Sequence, residues 1–278
     1  MTSDSSTVSP ATRLGAGVQP VRLKSVALPV EHGGWGMLGE PLVLGLLLAP
    51  SAAGLGVGLA AAFAFLARHP MKLAISDWRQ GRRTTRTLAA ERFVWLYAGL
   101  AAAGLALAAR APAGWWWPLA LAAPLALLQL LHDVRNQGRQ LLPELGGGIA
   151  LGSIVAAVLL ASGWSLAASL AAWAIVAVKA AGAILYVRAR LRCDRGLEFG
   201  GPTVLLVHAI GLLLALGLAA AQQTPWLAAG AFVLLLVRAA HGLSRFHRRV
   251  RPQAVGLVEL AYGVSFVLLT ALGYASGF

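Results

Sequence analysis

Residues 68–92 read RHPMKLAISDWRQGRRTTRTLAAER, a basic stretch set between two long apolar runs. Arg68, Lys72, Arg79, Arg82, Arg83, Arg86 and Arg92 stand against only Asp77 and Glu91. A charged side chain inside hydrocarbon costs about 3 kcal/mol or more. Seven cations therefore place this stretch at a membrane surface, and the apolar runs on either side read as membrane spans. Guanidinium groups at this density suit phosphate or anionic headgroups, because each offers a planar fork of donors that matches phosphate oxygens.

The composition agrees. The chain has 278 residues, 58% hydrophobic and 12% charged, with a mean hydropathy of +0.73, whereas soluble domains carry about 25% charge. The Ala- and Leu-rich runs lack strict apolar/polar alternation, which predicts helices and not a barrel. The basic residues behind the net charge of +13 lie mostly in loops between apolar runs, so topology explains it and nucleic acid is not an expected partner. Cys193 is the only cysteine, which excludes an intrachain disulfide or a cysteine metal cluster.

Residues 1–24 read as a polar, disordered cytoplasmic tail, and 25–278 as one transmembrane domain. Within it, apolar runs of near-spanning length lie at about 34–50, 52–67, 93–110, 115–131, 145–162, 165–187, 203–221, 225–240 and 254–275, which predicts nine transmembrane helices. Basic residues then fall on alternate loops: Arg13, Arg22 and Lys24; the stretch already quoted; Arg135 and Arg139; Arg188, Arg190, Arg192 and Arg195; Arg245, Arg248, Arg249 and Arg251. The turns between, PSAAG, ASGWS and AQQTPW, carry none, and APAGWWW has only Arg110 before it. By the positive-inside rule the amino terminus is cytoplasmic and the carboxyl terminus outside, in a cytoplasmic membrane.

Several polar groups ask for a reason. Glu31 and His32 precede the first run, with Glu40 inside it; metal binding, proton exchange, pairing with an arginine, and capping with a salt bridge are the options there. Lys179, near the middle of the sixth run, shares a helix face with Tyr186 and Arg190 at spacings of seven and four, so this face is expected to line a cavity. A buried lysine needs a carboxylate or a substrate anion, and Glu40 or Glu259 qualifies as partner. His208 and Gln129 read as hydrogen-bonding glue between helices. Asp77, Asp133 and Asp194 lie among arginines, either as ion pairs or, for Asp77 and Asp194, as Mg²⁺ ligands on a diphosphate clamped by Arg83, Arg86, Arg190 and Arg192.

The stretches PVEHGGWGML, RHPMKLAISDWRQGRR and YVRARLRCDR resemble the YwiC-like family of bacterial membrane proteins, a likeness that runs over about residues 25–275. More distantly the chain resembles the UbiA superfamily of intramembrane prenyltransferases, which implies nine helices and aspartate motifs after helices two and six that bind Mg²⁺ and an isoprenyl diphosphate. Asp77 and Asp194 match that layout. In content, SDWRQGRRT offers Ser76 and Asp77, with Gln80 and Thr84 at the later positions, while Asp194 and Glu198 keep the four-residue spacing. The resemblance thus implies a prenyltransferase-like, lipid-processing protein. Asp77, Asp194 and Glu198 would hold Mg²⁺; Arg68, Lys72, Arg83, Arg86, Arg190, Arg192, Glu31 and His32 would face an isoprenyl diphosphate or lipid headgroup; Lys179 and Tyr186 would complete catalysis with Asp77 and Asp194. Two other classes stay open: a transporter with an ion path through Glu31, Glu40, Lys179 and Glu259, and an accessory subunit of a membrane complex.

Overall fold

The computed structural model describes residues 22–29, 32–246 and 248–277, except the side chain of His32. The tail up to residue 21, Glu31 and the His32 side chain lie outside the described residues. What is described is all helical: a short α1 (Leu23–Ala27), then α2 (His32–Leu48), α3 (Ala52–Arg79), α4 (Thr85–Ala108), α5 (Trp117–Val134), α6 (Leu141–Ala161), α7 (Leu166–Asp194), α8 (Gly201–Ala220), α9 (Trp226–Gly242) and α10 (Pro252–Ala275). Seven of these, α3 to α8 and α10, are long and apolar enough to cross a membrane. The helices α2 and α9 are apolar but shorter, 17 residues each, or about 26 Å at 1.5 Å per residue.

Residues 68–92 are mostly helix. α3 spans 28 residues, about 42 Å, so its last turns carry Lys72, Asp77 and Arg79 beyond a hydrocarbon core of ~30 Å. The connection to α4 is only the turn 80–84. Gly81 supplies the left-handed residue there, with φ +64°. Thr84 caps α4 by accepting from the Thr87 amide, and the Thr87 side chain accepts from the Thr84 amide in return. This reciprocal pairing satisfies two otherwise orphaned amides. Asp194 likewise ends α7 and does not stand in a loop.

The centre of the bundle is α6, with two thirds of its apolar window buried, against 17% for α4. α6 packs on α7, α5, α2 and α3, and its small residues permit this: a Cβ on Gly148 or Gly152 would press on Ile184 or Trp173. The tightest helix pair is α3 with α4. There a Cβ on Gly56 would lie 2.6 Å from the Gly104 carbonyl, and one on Gly104 would lie 2.7 Å from the Gly56 carbonyl. Small residues are the general device for close packing in lipid, where no hydrophobic force drives helices together.

The turns gather at two ends. At one, Arg68 Nε meets Asp133 Oδ2 at 3.0 Å, joining α3 to α5. Arg188 Nη1 meets Glu144 Oε2 at 2.7 Å, joining α7 to the start of α6, and Arg190 donates to the carbonyls of Gly242 and Arg248 beyond α9. At the other, the Ser51 and Ser162 hydroxyls lie 2.8 Å apart, and Tyr274 Oη donates to the Gln223 carbonyl at 3.0 Å. The arginine-rich turns lie at the first end, and the turns at the second carry no basic residue except Arg110.

Candidate functional site

The residues singled out by sequence fall into three groups. At the turn between α3 and α4, Asp77 is 1% exposed. Arg86 Nε donates to its Oδ2 at 3.3 Å, Arg86 Nη2 to its Oδ1, and Thr87 Oγ1 to Oδ2 at 2.8 Å. The carboxylate thus bolts the two helices together. Arg83 is exposed, 3.7 Å from Glu91; Arg68 is held by Asp133; Lys72 is half-buried on α3.

At the end of α7, Asp194 Oδ1 lies 3.4 Å from Arg190 Nη2. Arg192 Nε donates at 2.6 Å to the carbonyl of Glu198, whose residue is exposed in the following turn. α3 packs on α4, α6, α2, α5 and α1, whereas α7 packs on α6, α8, α10, α2 and α9. Asp77 and Asp194 therefore stand on helices that share α6 and α2 as neighbours, with different ion-pair partners. Among the described residues no group of three His, Cys, Asp or Glu side chains is arranged to hold a metal ion. Asp77 spends both oxygens on Arg86 and Thr87. These residues do not fit a shared Mg²⁺ site.

The third group is a column of buried charge. Lys179 of α7 pairs with Glu40 of α2, which decides between the two carboxylates the sequence allowed. Glu259 of α10 pairs instead with Arg238 of α9, Oε2 to Nη2 at 3.2 Å. The two pairs are neighbours, since Glu40 and Lys179 pack against Gly263 of α10, one turn from Glu259. Gly263, one turn beyond Glu259, has no side chain because Glu40 and Lys179 occupy its space, the Lys179 Nζ lying 3.2 Å from where a Cβ would be. Arg238 lies over the ring of Tyr186, 4.0 Å from its centroid, and 5.3 Å from that of Tyr262. From Arg190 to Lys179 the column descends eleven residues of α7, about 16 Å.

At the arginine-bearing end the column meets a cavity of about 710 Å³ lined by Tyr186, Arg190, Arg238, His241, Glu259 and Tyr262 together with apolar residues of α9 and α10. The expected cavity-lining face of α7 thus holds for Tyr186 and Arg190, while Lys179 sits deeper. Arg238 is the residue the sequence reading passed over. Its signal was present, a lone arginine inside the apolar run 225–240, where a charge asks for a partner. His208 Nδ1 donates to the Val204 carbonyl at 2.8 Å, with its ring filling the space beside Gly182, and Gln129 Nε2 donates to Asp133 Oδ1 at 2.9 Å; both bonds stay within one helix, α8 and α5, so they do not tie one helix to another as the sequence suggested.

Residues 28–159 match the family of YwiC-like proteins, a narrower stretch than the 25–275 over which the resemblance was read. The match ends at α6, so most of the charged column lies beyond it. No curated protein and no solved structure matches the chain.

Proposed function

We propose that this YwiC-like membrane protein is a lipid-handling protein of UbiA-like layout. It crosses the cytoplasmic membrane nine times from a cytoplasmic amino terminus and takes an isoprenyl diphosphate or an anionic lipid headgroup at its arginine-bearing face. The observation that carries this reading is the concentration of exposed arginine at that end of the bundle, the same end at which the charged column begins. Arg79, Arg82 and Arg83 are exposed at the turn after α3, and a polar-lined cavity opens where Arg190 and Tyr186 of α7 meet α9 and α10. Arginine forks hold phosphate oxygens without a metal, which suits a chain whose candidate acidic ligands do not converge.

The test is the thermal stability of the detergent-purified protein with geranylgeranyl diphosphate, with and without Mg²⁺, against geranylgeraniol. A ligand that binds only the folded state raises the melting temperature by mass action. Stabilisation by the diphosphate, independent of Mg²⁺ and absent with the alcohol, is expected. Dependence on Mg²⁺ would restore a metal-bound diphosphate, and no shift beyond the alcohol would remove the reading.

A second reading, ion-coupled transport, is favoured by one observation, the Lys179 and Glu40 pair buried between α7 and α2. Intramembrane ion pairs mark solute and proton paths. Solute uptake by proteoliposomes that Lys179→Met abolishes, with fold retained, would move the assignment to this class.

A further inference from the structure

Arg238 and Glu259 hold each other through a single close contact. Arg238 Nε and Nη1 and Glu259 Oε1 have no hydrogen-bond partner among the described residues, and all three atoms are buried. Arg238 as a whole is only 6% exposed. Two donors and one acceptor left unmatched side by side are costly within a membrane protein, since each forfeits its hydration. Both side chains line the same cavity. The unmatched atoms describe the complement they would take: a group presenting anionic oxygens to the guanidinium and an N–H donor to the carboxylate.

The charge balance narrows that group. The Arg238 and Glu259 pair sums to zero, and so does the Lys179 and Glu40 pair beneath it. Arg248 also lines the cavity, exposed at its outer loop end, so at the depth of Glu259 the lining holds no cation beyond Arg238 to grip a multiply charged head. Arg190, at the rim, has spent donors on the Gly242 and Arg248 carbonyls. A ligand with one anionic and one cationic centre, neutral overall, fits this site better than a diphosphate.

The walls say where such a ligand comes from. Leu234, Val237, Val255 and Val258 form the apolar lining, and Val237 and Val258 are 59% and 49% exposed on the flanks of α9 and α10. Taken as spanning helices, α9 and α10 turn that exposure toward lipid, which gives the cavity a lipid-facing flank beside its loop side, where Phe246, Arg248 and Val250 line it. Glu259 lies seven residues into α10, about 10 Å along the axis. That is the depth reached by a head drawn slightly inward while its chains stay in the hydrocarbon.

We propose that the cavity between α7, α9 and α10 binds a membrane aminophospholipid, its phosphate on Arg238 and its ammonium on Glu259, with the acyl chains leaving between α9 and α10. This site is separate from the exposed arginines of the turn 80–84 and stands whether or not a diphosphate binds there.

Binding is measured by native mass spectrometry and thermal shift, titrating phosphatidylethanolamine, phosphatidylcholine, phosphatidylglycerol and soluble phosphoethanolamine into the purified full-length protein. Phosphatidylcholine keeps the charges but lacks the N–H donor, so phosphatidylethanolamine is expected to bind at least about tenfold tighter, the value of one charge-assisted hydrogen bond. Glu259→Gln removes that preference and Arg238→Gln weakens all the phospholipids. Val237→Trp, on the lipid-facing flank, closes the portal and lowers phosphatidylethanolamine binding without lowering the melting temperature of the lipid-free protein. Phosphatidylcholine or phosphatidylglycerol binding as tightly as phosphatidylethanolamine, retention of the preference in Glu259→Gln, or indifference to Val237→Trp would overturn the proposal. Soluble phosphoethanolamine matching the lipid would overturn the portal and make the ligand a water-borne phosphate ester.

Discussion

At the residue scale the decisive feature is how charges are spent. Lys179 and Glu40 are almost fully withdrawn from solvent, with side chains 5% and 14% exposed. A buried pair contributes little as a pair, but removing one partner strands the other at a cost of about 3–5 kcal/mol. Lys179→Met and Glu40→Leu are each expected to lower stability by that amount, and the double variant to recover most of the loss; denaturation in detergent followed by helical circular dichroism measures all three. Gly263→Ala probes the same pair from the third side. Its methyl would enter the space of the Glu40 carboxylate, and the forced shift is expected to cost about 1–3 kcal/mol, as overpacking does. Equal stability of wild type and Gly263→Ala would show that the pair does not sit against α10.

At the scale of elements, α3 and α4 form a hairpin whose axes come unusually close. Gly56 and Gly104 face each other, and neither position has room for a Cβ. Substituting Leu at Gly104 is expected to part the hairpin at the end opposite the basic turn and to lower the melting temperature. Leu at Gly99, which meets nothing within 4 Å, is expected to leave it unchanged. The same hairpin explains the role of Asp77. At the other end of α3 it accepts from Arg86 and Thr87 of α4, closing the pair where the glycines no longer do. The density of arginine around Asp77 suggested an anion site, whereas one of those arginines is a structural partner and the exposed ones beyond it remain available.

At the scale of the molecule, the alternation of charge between turns predicts which end faces the cytoplasm. In a Cys193→Ser background, single cysteines at Arg82 and Arg249 are expected to react with an impermeant maleimide only after cells are permeabilised. Cysteines at Ala113 and Ala221 are expected to react in intact cells. All four positions are exposed at the ends of helices, so accessibility to the reagent reports sidedness. Labelling of Arg82→Cys and Ala113→Cys from the same side would break the nine-span topology at α4.

Much of this architecture could be read from local properties. Apolar run length and the placement of arginines located α2 to α10 to within a few residues at most boundaries, because each span must satisfy its own backbone and expel its charges without help from the rest of the chain. The exceptions are the ends of α3 and α7 and the start of α4, where helix extends beyond the apolar stretch. Polar residues extend a helix once it has left the hydrocarbon, and hydropathy does not register that. The partners of charges were not legible in this way. That Lys179 takes Glu40, that Glu259 takes Arg238, and that Asp77 takes Arg86 depends on which helix lies beside which. Residues as far apart in sequence as Glu40 and Lys179 meet only because α6, lined with small side chains, draws α2 and α7 together. Pairing in a membrane bundle is settled by packing between helices, and only the tertiary structure holds that information.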